Sequence, residues 1–200
     1  MSAMLALPDR VAGQECSWVA SAGLSIPANR NMRIDGTNAR LSTGWSGRLG
    51  HACGLGAGGP RLGVDADVQR INDFRGMYLI SLMGRLGRVY RADTDSRTPW
   101  FELAGNAGFG YAFDPDDYVE GLLPRRREEI GGREVDLPGL GLTAGGSVRV
   151  GFPASPSGSF LLDVGIRISR LPTKKLSGLL EDESGVLMTL PITVGYQLSL

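Results

Sequence analysis

Apolar and polar residues alternate with a period of two along most of this chain. The last segment shows the pattern most clearly. One of its faces consists of Val186, Met188, Leu190, Ile192, Val194, Tyr196, Leu198 and Leu200, and the other carries Thr189, Thr193, Gln197 and Ser199. Because successive side chains of a strand point to opposite faces of a sheet, this alternation predicts a β-strand with one apolar face and one polar face.

Eight segments have this pattern, and turn-rich stretches separate them. They cover about residues 17–26, 40–49, 62–70, 78–88, 101–113, 142–152, 160–170 and 186–200. Leu79 and Met83 are exceptions, since they are apolar residues on the polar side of the fourth segment. No comparable segment has helical spacing, so the sequence predicts an all-β fold. Eight strands joined by turns favour a closed antiparallel up-and-down β-barrel.

The distribution of charge indicates which face of this barrel is buried. On the apolar face, charges occur only near strand ends, at Arg70, Arg88 and Arg170. The polar face combines small residues with charges of both signs, namely Arg40, Arg48, Asp65, Asp67, Arg85, Glu102, Arg149, Asp163 and Arg167. Buried ions must be paired, and these charges nearly balance. We therefore predict a transmembrane barrel with its apolar face in lipid and this charge network inside.

Two interpretations of the interior remain open at this point. The network could line a narrow polar passage, or it could fill the interior with paired side chains. An eight-stranded barrel is just wide enough for its own side chains, which favours the packed interior.

The composition is compatible with a membrane barrel and argues against a nucleic-acid partner. Lysine plus arginine and aspartate plus glutamate number 21 each, so the chain lacks the basic excess of a nucleic-acid-binding protein. The mean hydropathy is −0.04. No apolar run approaches the ~18–20 residues of a transmembrane helix, but a barrel strand spans with ~9–11 residues, half of which face lipid.

The chain divides into an N-terminal extension over residues 1–14 and a barrel domain over residues 15–200. The extension has no clear signal peptide, because residues 1–12 lack a basic start and Pro8 and Asp9 interrupt any apolar run.

Few residues suggest chemistry. Cys16 and Cys53 are predicted to lie near the same rim of the barrel. They could form a disulfide bond or remain two free thiols. The distance between their Cα atoms decides between these alternatives, and the sequence does not give it. Gly54, Gly56 and Gly59 have dinucleotide-site spacing, but Pro60 and a strand follow them, so they are interpreted as a turn. The single histidine, His51, is expected to be a structural polar residue. No catalytic residue, cofactor or metal is predicted.

The longest of the predicted loops covers residues 114–138. It carries Asp114, Asp116, Asp117 and Glu120, followed by Arg125, Arg126 and Arg127. It could contact lipopolysaccharide phosphates or a divalent cation, or be a solvated loop.

Three segments resemble a known family. They are LGVDADVQRINDFRGMYLISLMGRLG, PWFELAGNAGFGYAF and the final TVGYQLSL. Over about residues 16–200 the chain is similar to the small eight-stranded outer-membrane β-barrels, the OmpA-like and opacity-type proteins. In the last segment, Thr193, Gly195, Leu198 and Leu200 occupy the positions of that family's C-terminal assembly signal, although the chain ends on leucine where the family has phenylalanine or tryptophan.

The resemblance implies a non-enzymatic integral protein of the bacterial outer membrane. Its role would be structural, adhesive or in surface interaction. Its partners would be outer-membrane lipids, lipopolysaccharide and the barrel assembly machinery, and it would be a monomer. The alternatives are a narrow pore for ions or small solutes and a soluble, lipocalin-like barrel that binds a small hydrophobic ligand.

Overall fold

A computed structural model describes residues 15–28, 31–34, 37–40, 42–56, 59–72, 77–91, 98–113, 127–130, 133–136, 139–171 and 185–200. The predicted N-terminal extension over residues 1–14 lies outside these ranges. In chain order the strands are β1 (Cys16–Pro27), β2 (Asn31–Ile34), β3 (Thr37–Arg40), β4 (Ser42–Gly54), β5 (Pro60–Asn72), β6 (Met77–Arg91), β7 (Trp100–Phe113), β8 (Arg127–Ile130), β9 (Arg133–Asp136), β10 (Gly139–Ser155), β11 (Gly158–Leu171) and β12 (Gly185–Ser199). No helix in the described part of the chain is long and apolar enough to cross a membrane.

Eight of these strands form a closed antiparallel barrel. Their order around the ring is β1, β12, β11, β10, β7, β6, β5 and β4, so barrel strands that are consecutive along the chain are paired with each other. Pairing of β1 with both β12 and β4 closes the ring. The predicted fold class, a closed up-and-down barrel of eight strands, is confirmed.

The two ends of the barrel differ in their connections. At one end, the turn end, lie the start of β1, the end of β12 and the connections β4–β5, β6–β7 and β10–β11. The tightest of these connections has only residues 156 and 157 between its strands. In the β4–β5 turn, Gly56 has a φ of 92°, a conformation that glycine adopts without steric cost. This turn is the stretch whose glycine spacing resembles a dinucleotide site.

The other end, the loop end, carries a second sheet. Its four strands pair in the order β3, β2, β8 and β9, and they come from the β1–β4 and β7–β10 connections. Arg40 is the last residue of β3, so the expectation that it lies on a barrel strand is wrong. The chain makes the short β2–β3 hairpin, in which Arg40 pairs with Asn31, before it enters the barrel at Ser42. The Arg40 side chain lies outside the described residues.

The alternation of the sequence matches the two faces of the barrel wall. Along β7, for example, Glu102, Ala104 and Asn106 are buried while Leu103 and Phe109 are exposed. Leu79 and Met83 are apolar but occupy inward-facing positions of β6, and both are buried inside the barrel. Their position along the strand therefore determines which face they lie on. The interior therefore contains apolar residues as well as polar ones.

Candidate functional site

Eight charged side chains are buried in the barrel interior, each no more than 3% exposed. They are Arg48, Asp65, Asp67, Arg85, Glu102, Arg149, Asp163 and Arg167. Four carry positive charge and four carry negative charge, so the described set is formally neutral. The sequence placed all eight on one face, and the structure brings all eight together. The ninth predicted member, Arg40, belongs to the loop-end sheet instead.

The eight side chains form one chain of ion pairs in which the sign of the charge alternates. The chain begins with Asp65 and Arg85, whose Oδ2 and Nη1 atoms are 3.2 Å apart. Arg85 next pairs with Glu102 at 3.2 Å, and Glu102 pairs with Arg149 at 3.3 Å. Arg149 then lies 2.9 Å from Asp163. Each inner side chain of this series thus contacts two side chains whose charge is opposite to its own.

After Asp163 the series of ion pairs no longer follows neighbouring strands and crosses the barrel interior. Arg48 on β4 lies 2.8 Å from Asp163 on β11, although two strands separate β4 from β11 in the wall. Arg48 also lies 3.6 Å from Asp67, which pairs with Arg167. We call the whole set, from Asp65 to Arg167, the ionic chain.

Strand register explains part of the ionic chain. Arg149 on β10 pairs directly with Glu102 on β7 and with Asp163 on β11. Side chains directly opposite on paired strands have Cβ atoms about 4.5–5.5 Å apart, so these three charges are brought into contact by backbone pairing. The contacts of Arg48 and Arg167 across the interior need the closed ring as well.

Neutral polar side chains extend the ionic chain toward the loop end. Gln69 Nε2 donates to Asp67 Oδ2 over 2.9 Å. The Oε1 atom of Gln69 accepts hydrogen bonds from Ser25 at 2.8 Å and Thr189 at 2.9 Å. These partners come from β1 and β12, so the polar network contacts most of the wall.

Interior glycines provide the room for these side chains. A Cβ added at Gly87 would lie 2.5 Å from Glu102 Oε1, and one added at Gly50 would collide with Asp65 Oδ1. Since an eight-stranded barrel has little interior volume, glycine on one strand allows a long charged side chain on the next.

Apolar side chains lie on both sides of the ionic chain along the barrel axis. At the turn end, Val19, Trp100 and Leu161 form a buried cluster with Val89 packed against it. Toward the loop end, Ile71, Leu79 and Leu187 are each at most 1% exposed. The charged layer is thus separated from both ends of the barrel.

One interior charge among the described residues, Arg61, was not predicted from the sequence. This side chain donates to Ser17 Oγ and, over 3.3 Å, to the carbonyl oxygen of Ala52. Its position was predictable, because Arg61 is two residues before Gly63 and four before Asp65 on the same strand face. The strand was predicted to begin at residue 62, two residues after its actual start at Pro60.

The outer face is apolar between two rims that carry aromatic rings. At the loop end the Arg70 guanidinium lies 5.7 Å from the centre of the Tyr78 ring, which stacks on Phe113 at 5.5 Å. At the turn end Arg88 lies 5.7 Å from the centre of the Tyr90 ring, which stacks on Phe101 at 4.9 Å. Between these levels the outward residues of β5 and β6 are Leu62, Val64, Ala66, Val68, Ile80, Leu82, Gly84 and Leu86.

Cys16 and Cys53 form a disulfide bond at the turn-end rim. They are direct partners in the β1–β4 register, and their Cα atoms are 4.0 Å apart. The sequence left this pairing open, and the register determines it. His51 is two residues before Cys53, and its ring lies 4.5 Å from that of Trp18.

The residues of the proposed assembly signal lie on β12 and just beyond it. Thr193 is buried and donates a hydrogen bond of 3.3 Å to Ser21 on β1. A Cβ at Gly195 would collide with the Ala20 carbonyl oxygen, so glycine lets β12 approach β1 closely. Leu198 and Leu200 face outward, and the Leu200 amide donates to the Cys16 carbonyl over 2.9 Å.

The loop residues with possible lipopolysaccharide contacts lie mostly outside the described part of the chain. This holds for residues 114–126, while Arg127 begins β8.

No protein-family model matches the chain, and no curated protein matches it. Solved structures with a similar fold include the Neisserial surface protein NspA, with 14% identity over 93% of this chain and 98% of that one and a TM-score of 0.49. The outer membrane protein OprG from Pseudomonas aeruginosa has 12% identity over 94% and 96% of the two chains and a TM-score of 0.48. Ail, the attachment invasion locus protein of Yersinia pestis, has 16% identity over 92% and 98% and a TM-score of 0.44. These low similarities assign no function to this chain.

Proposed function

We propose that this protein is a non-enzymatic integral β-barrel of the bacterial outer membrane with a structural or surface-interaction role. The observation that supports this most strongly is the distribution of polarity across the wall. All eight charges of the ionic chain point inward, while large apolar side chains such as Leu82, Phe109 and Val194 are exposed on the outside. In water this arrangement would bury ions and expose hydrocarbon, but in a bilayer both faces have suitable surroundings.

The height of the apolar band supports the same conclusion. In the β5–β6 register, Arg88 pairs with Pro60 and Tyr78 pairs with Arg70, so ten residue steps of β5 separate the two cation–aromatic levels. At about 3.4 Å per residue and a strand tilt of about 40°, this corresponds to about 26 Å along the barrel axis. The apolar band of outer-membrane barrels is about 25 Å tall.

A packed interior favours a structural role over conduction. The ionic chain crosses the interior between β4 and β11 and again between β5 and β11. Apolar layers lie above and below it. An ion moving through the barrel would have to separate these pairs, which is costly for buried charges. The eight buried charges of the described interior also differ from the apolar surroundings in which a lipocalin-like protein would hold a hydrophobic ligand.

The loop end supports a role at the cell surface. Two connections that are far apart in sequence pair there through β2 and β8, with Arg33 opposite Glu129 in the register. Such pairing gives the loops a defined backbone arrangement that a partner could recognise. In this proposal the turn end faces the periplasm, lipopolysaccharide surrounds the loop-end rim, the barrel assembly machinery inserts the chain, and the protein is a monomer.

The proposal is tested by refolding the chain into detergent micelles and comparing unheated with boiled samples on a denaturing gel. We expect the unheated protein to migrate differently, since a closed barrel resists the detergent. A folded, monodisperse protein in plain buffer would contradict the membrane assignment. In planar bilayers we expect no discrete conductance, and reproducible unitary currents would replace the structural role with that of a pore.

A further inference from the structure

Two cross-strand pairs form a small patch on the outer face of the turn-end rim. Cys16 pairs with Cys53, and two residues along each strand Trp18 pairs with His51. Because the strand period is two, all four side chains lie on the same face of the wall. Cys16, Cys53 and His51 are each half-buried, so the patch is accessible from outside the barrel.

The patch holds three atoms that bind metals. The Cys53 sulfur lies 4.0 Å from His51 Nε2. The two sulfurs and one nitrogen of the His51 ring all lie within 4.8 Å of one another, and these residues are the one such group in the described ranges. The Trp18 ring lies 4.5 Å from the imidazole and restricts its orientation.

We propose that this patch is a redox-controlled zinc site. In the oxidised protein the disulfide occupies the two sulfurs. After reduction, the thiolates of Cys16 and Cys53 and Nε2 of His51 bind one Zn²⁺, with the fourth position open to water or another ligand. Two cysteines and a histidine are a known ligand set for zinc with an open fourth position.

The distances require only small movements. With Zn–S bonds of about 2.3 Å and Zn–N bonds of about 2.0–2.1 Å, neighbouring ligand atoms of a tetrahedral site lie about 3.5–3.8 Å apart. The His51–Cys53 separation of 4.0 Å is already close to this range. The two sulfurs would have to move apart once their bond is broken. The pairing of β1 with β4 meanwhile keeps the backbones of the ligand residues next to each other.

The switch is a thiol–disulfide exchange. An external protein dithiol transfers two electrons and two protons to the disulfide, which becomes two thiols, and the donor becomes a disulfide. Zinc binding then displaces both thiol protons. In the reverse direction an external disulfide accepts two electrons from the two thiolates together with two protons, the Cys16–Cys53 bond re-forms, and zinc leaves. Cys16 and Cys53 are half-buried residues at the turn-end rim, where such a partner can approach them.

The experiment uses the full chain in detergent micelles with Zn²⁺ as the probe and a chromophoric chelator as competitor. We expect one Zn²⁺ per reduced chain and none for the oxidised chain. With Co²⁺ in place of zinc, the reduced protein should show sulfur-to-metal charge-transfer absorption. His51→Phe keeps a ring beside Trp18 but removes the nitrogen ligand, and it should weaken zinc binding by about tenfold or more.

Two controls separate metal binding from folding. Trp45→Phe changes an exposed tryptophan near the opposite rim, leaves all four residues of the patch in place and should keep the zinc affinity of the reduced wild type. The heat-dependent gel shift reports whether each variant is folded, and the comparison of oxidised with reduced wild type needs no variant. The proposal is overturned if the oxidised protein or the C16S/C53S variant binds zinc as tightly as the reduced wild type. Unchanged affinity in His51→Phe would equally overturn the three-ligand site.

Discussion

Arg167 on β11 pairs with Asp67 on β5, and three strands separate β11 from β5 in either direction around the barrel. The contact therefore joins opposite walls. Both side chains are at most 2% exposed, so neither charge can be screened by water if its partner is lost. This pair ends the ionic chain and shows how the closed ring determines which charges meet.

Removing one member of this pair should destabilise the barrel strongly. Arg167→Met leaves Asp67 with Arg48 at 3.6 Å as its remaining cationic partner, and the loss of a buried partner costs about 3–5 kcal/mol. The double variant Arg167→Met, Asp67→Leu should recover much of that loss, because no unpaired charge remains. Urea unfolding in lipid vesicles measures both values. Additive effects of the two substitutions would contradict a direct pairing.

A charge on the outer face should be costly only at the middle of the membrane. Leu82 is 60% exposed and lies near the centre of β6, so Leu82→Arg should cost about 2–4 kcal/mol. Leu198 is exposed near the turn-end rim, and Leu198→Arg should cost about 0–1 kcal/mol. The free energy of unfolding in vesicles of both variants tests the position of the membrane. Equal costs at the two sites would argue against it.

The three tryptophans should respond differently to quenchers in the lipid. Trp18 and Trp45 are 53% and 44% exposed on the outer face near opposite rims, whereas Trp100 is 5% exposed inside the barrel. Variants that keep one tryptophan and carry phenylalanine at the other two positions can be reconstituted with brominated lipids. We expect strong fluorescence quenching for Trp18 and Trp45 and little for Trp100. Preferential quenching of Trp100 would mean that the faces are reversed.

The disulfide should stabilise the barrel without being needed for its closure. It joins residues 37 apart in sequence, and a bridge of this kind typically contributes about 2–4 kcal/mol. C16S/C53S should therefore lower the midpoint of urea unfolding but retain the heat-dependent gel shift, because β1 and β4 also pair along their length. Zinc must be absent from this measurement. Complete loss of the folded form would show that the bridge is required.

Local alternation was sufficient to predict the eight barrel strands and their two faces. The side chain of every second residue lies on the same face whatever the partner strand is, so Asp65 and Asp67 could be assigned to the interior without knowing their contacts. The same rule assigns Arg61, which was missed only because β5 begins at Pro60, two residues before its predicted start.

Contacts that depend on pairing between distant segments could not be predicted. Nothing near Arg167 in the sequence indicates that its partner is Asp67. The loop-end sheet forms from two separate connections, so the alternation around Arg40 was interpreted as part of the barrel. The Cys16–Cys53 bond likewise depends on the register of β1 with β4.

Ring closure through β1 and β12 has a consequence for biogenesis. The strand that completes the wall is supplied by Gly185–Ser199, and Leu200 donates its amide to Cys16. Until that last strand arrives, β1 and β11 each present an unpaired edge, and such edges promote aggregation. Closure also joins the segments farthest apart in the described chain, which favours slow folding. A chain truncated before β12 therefore cannot complete the wall, and both edges need protection until β12 pairs with β1.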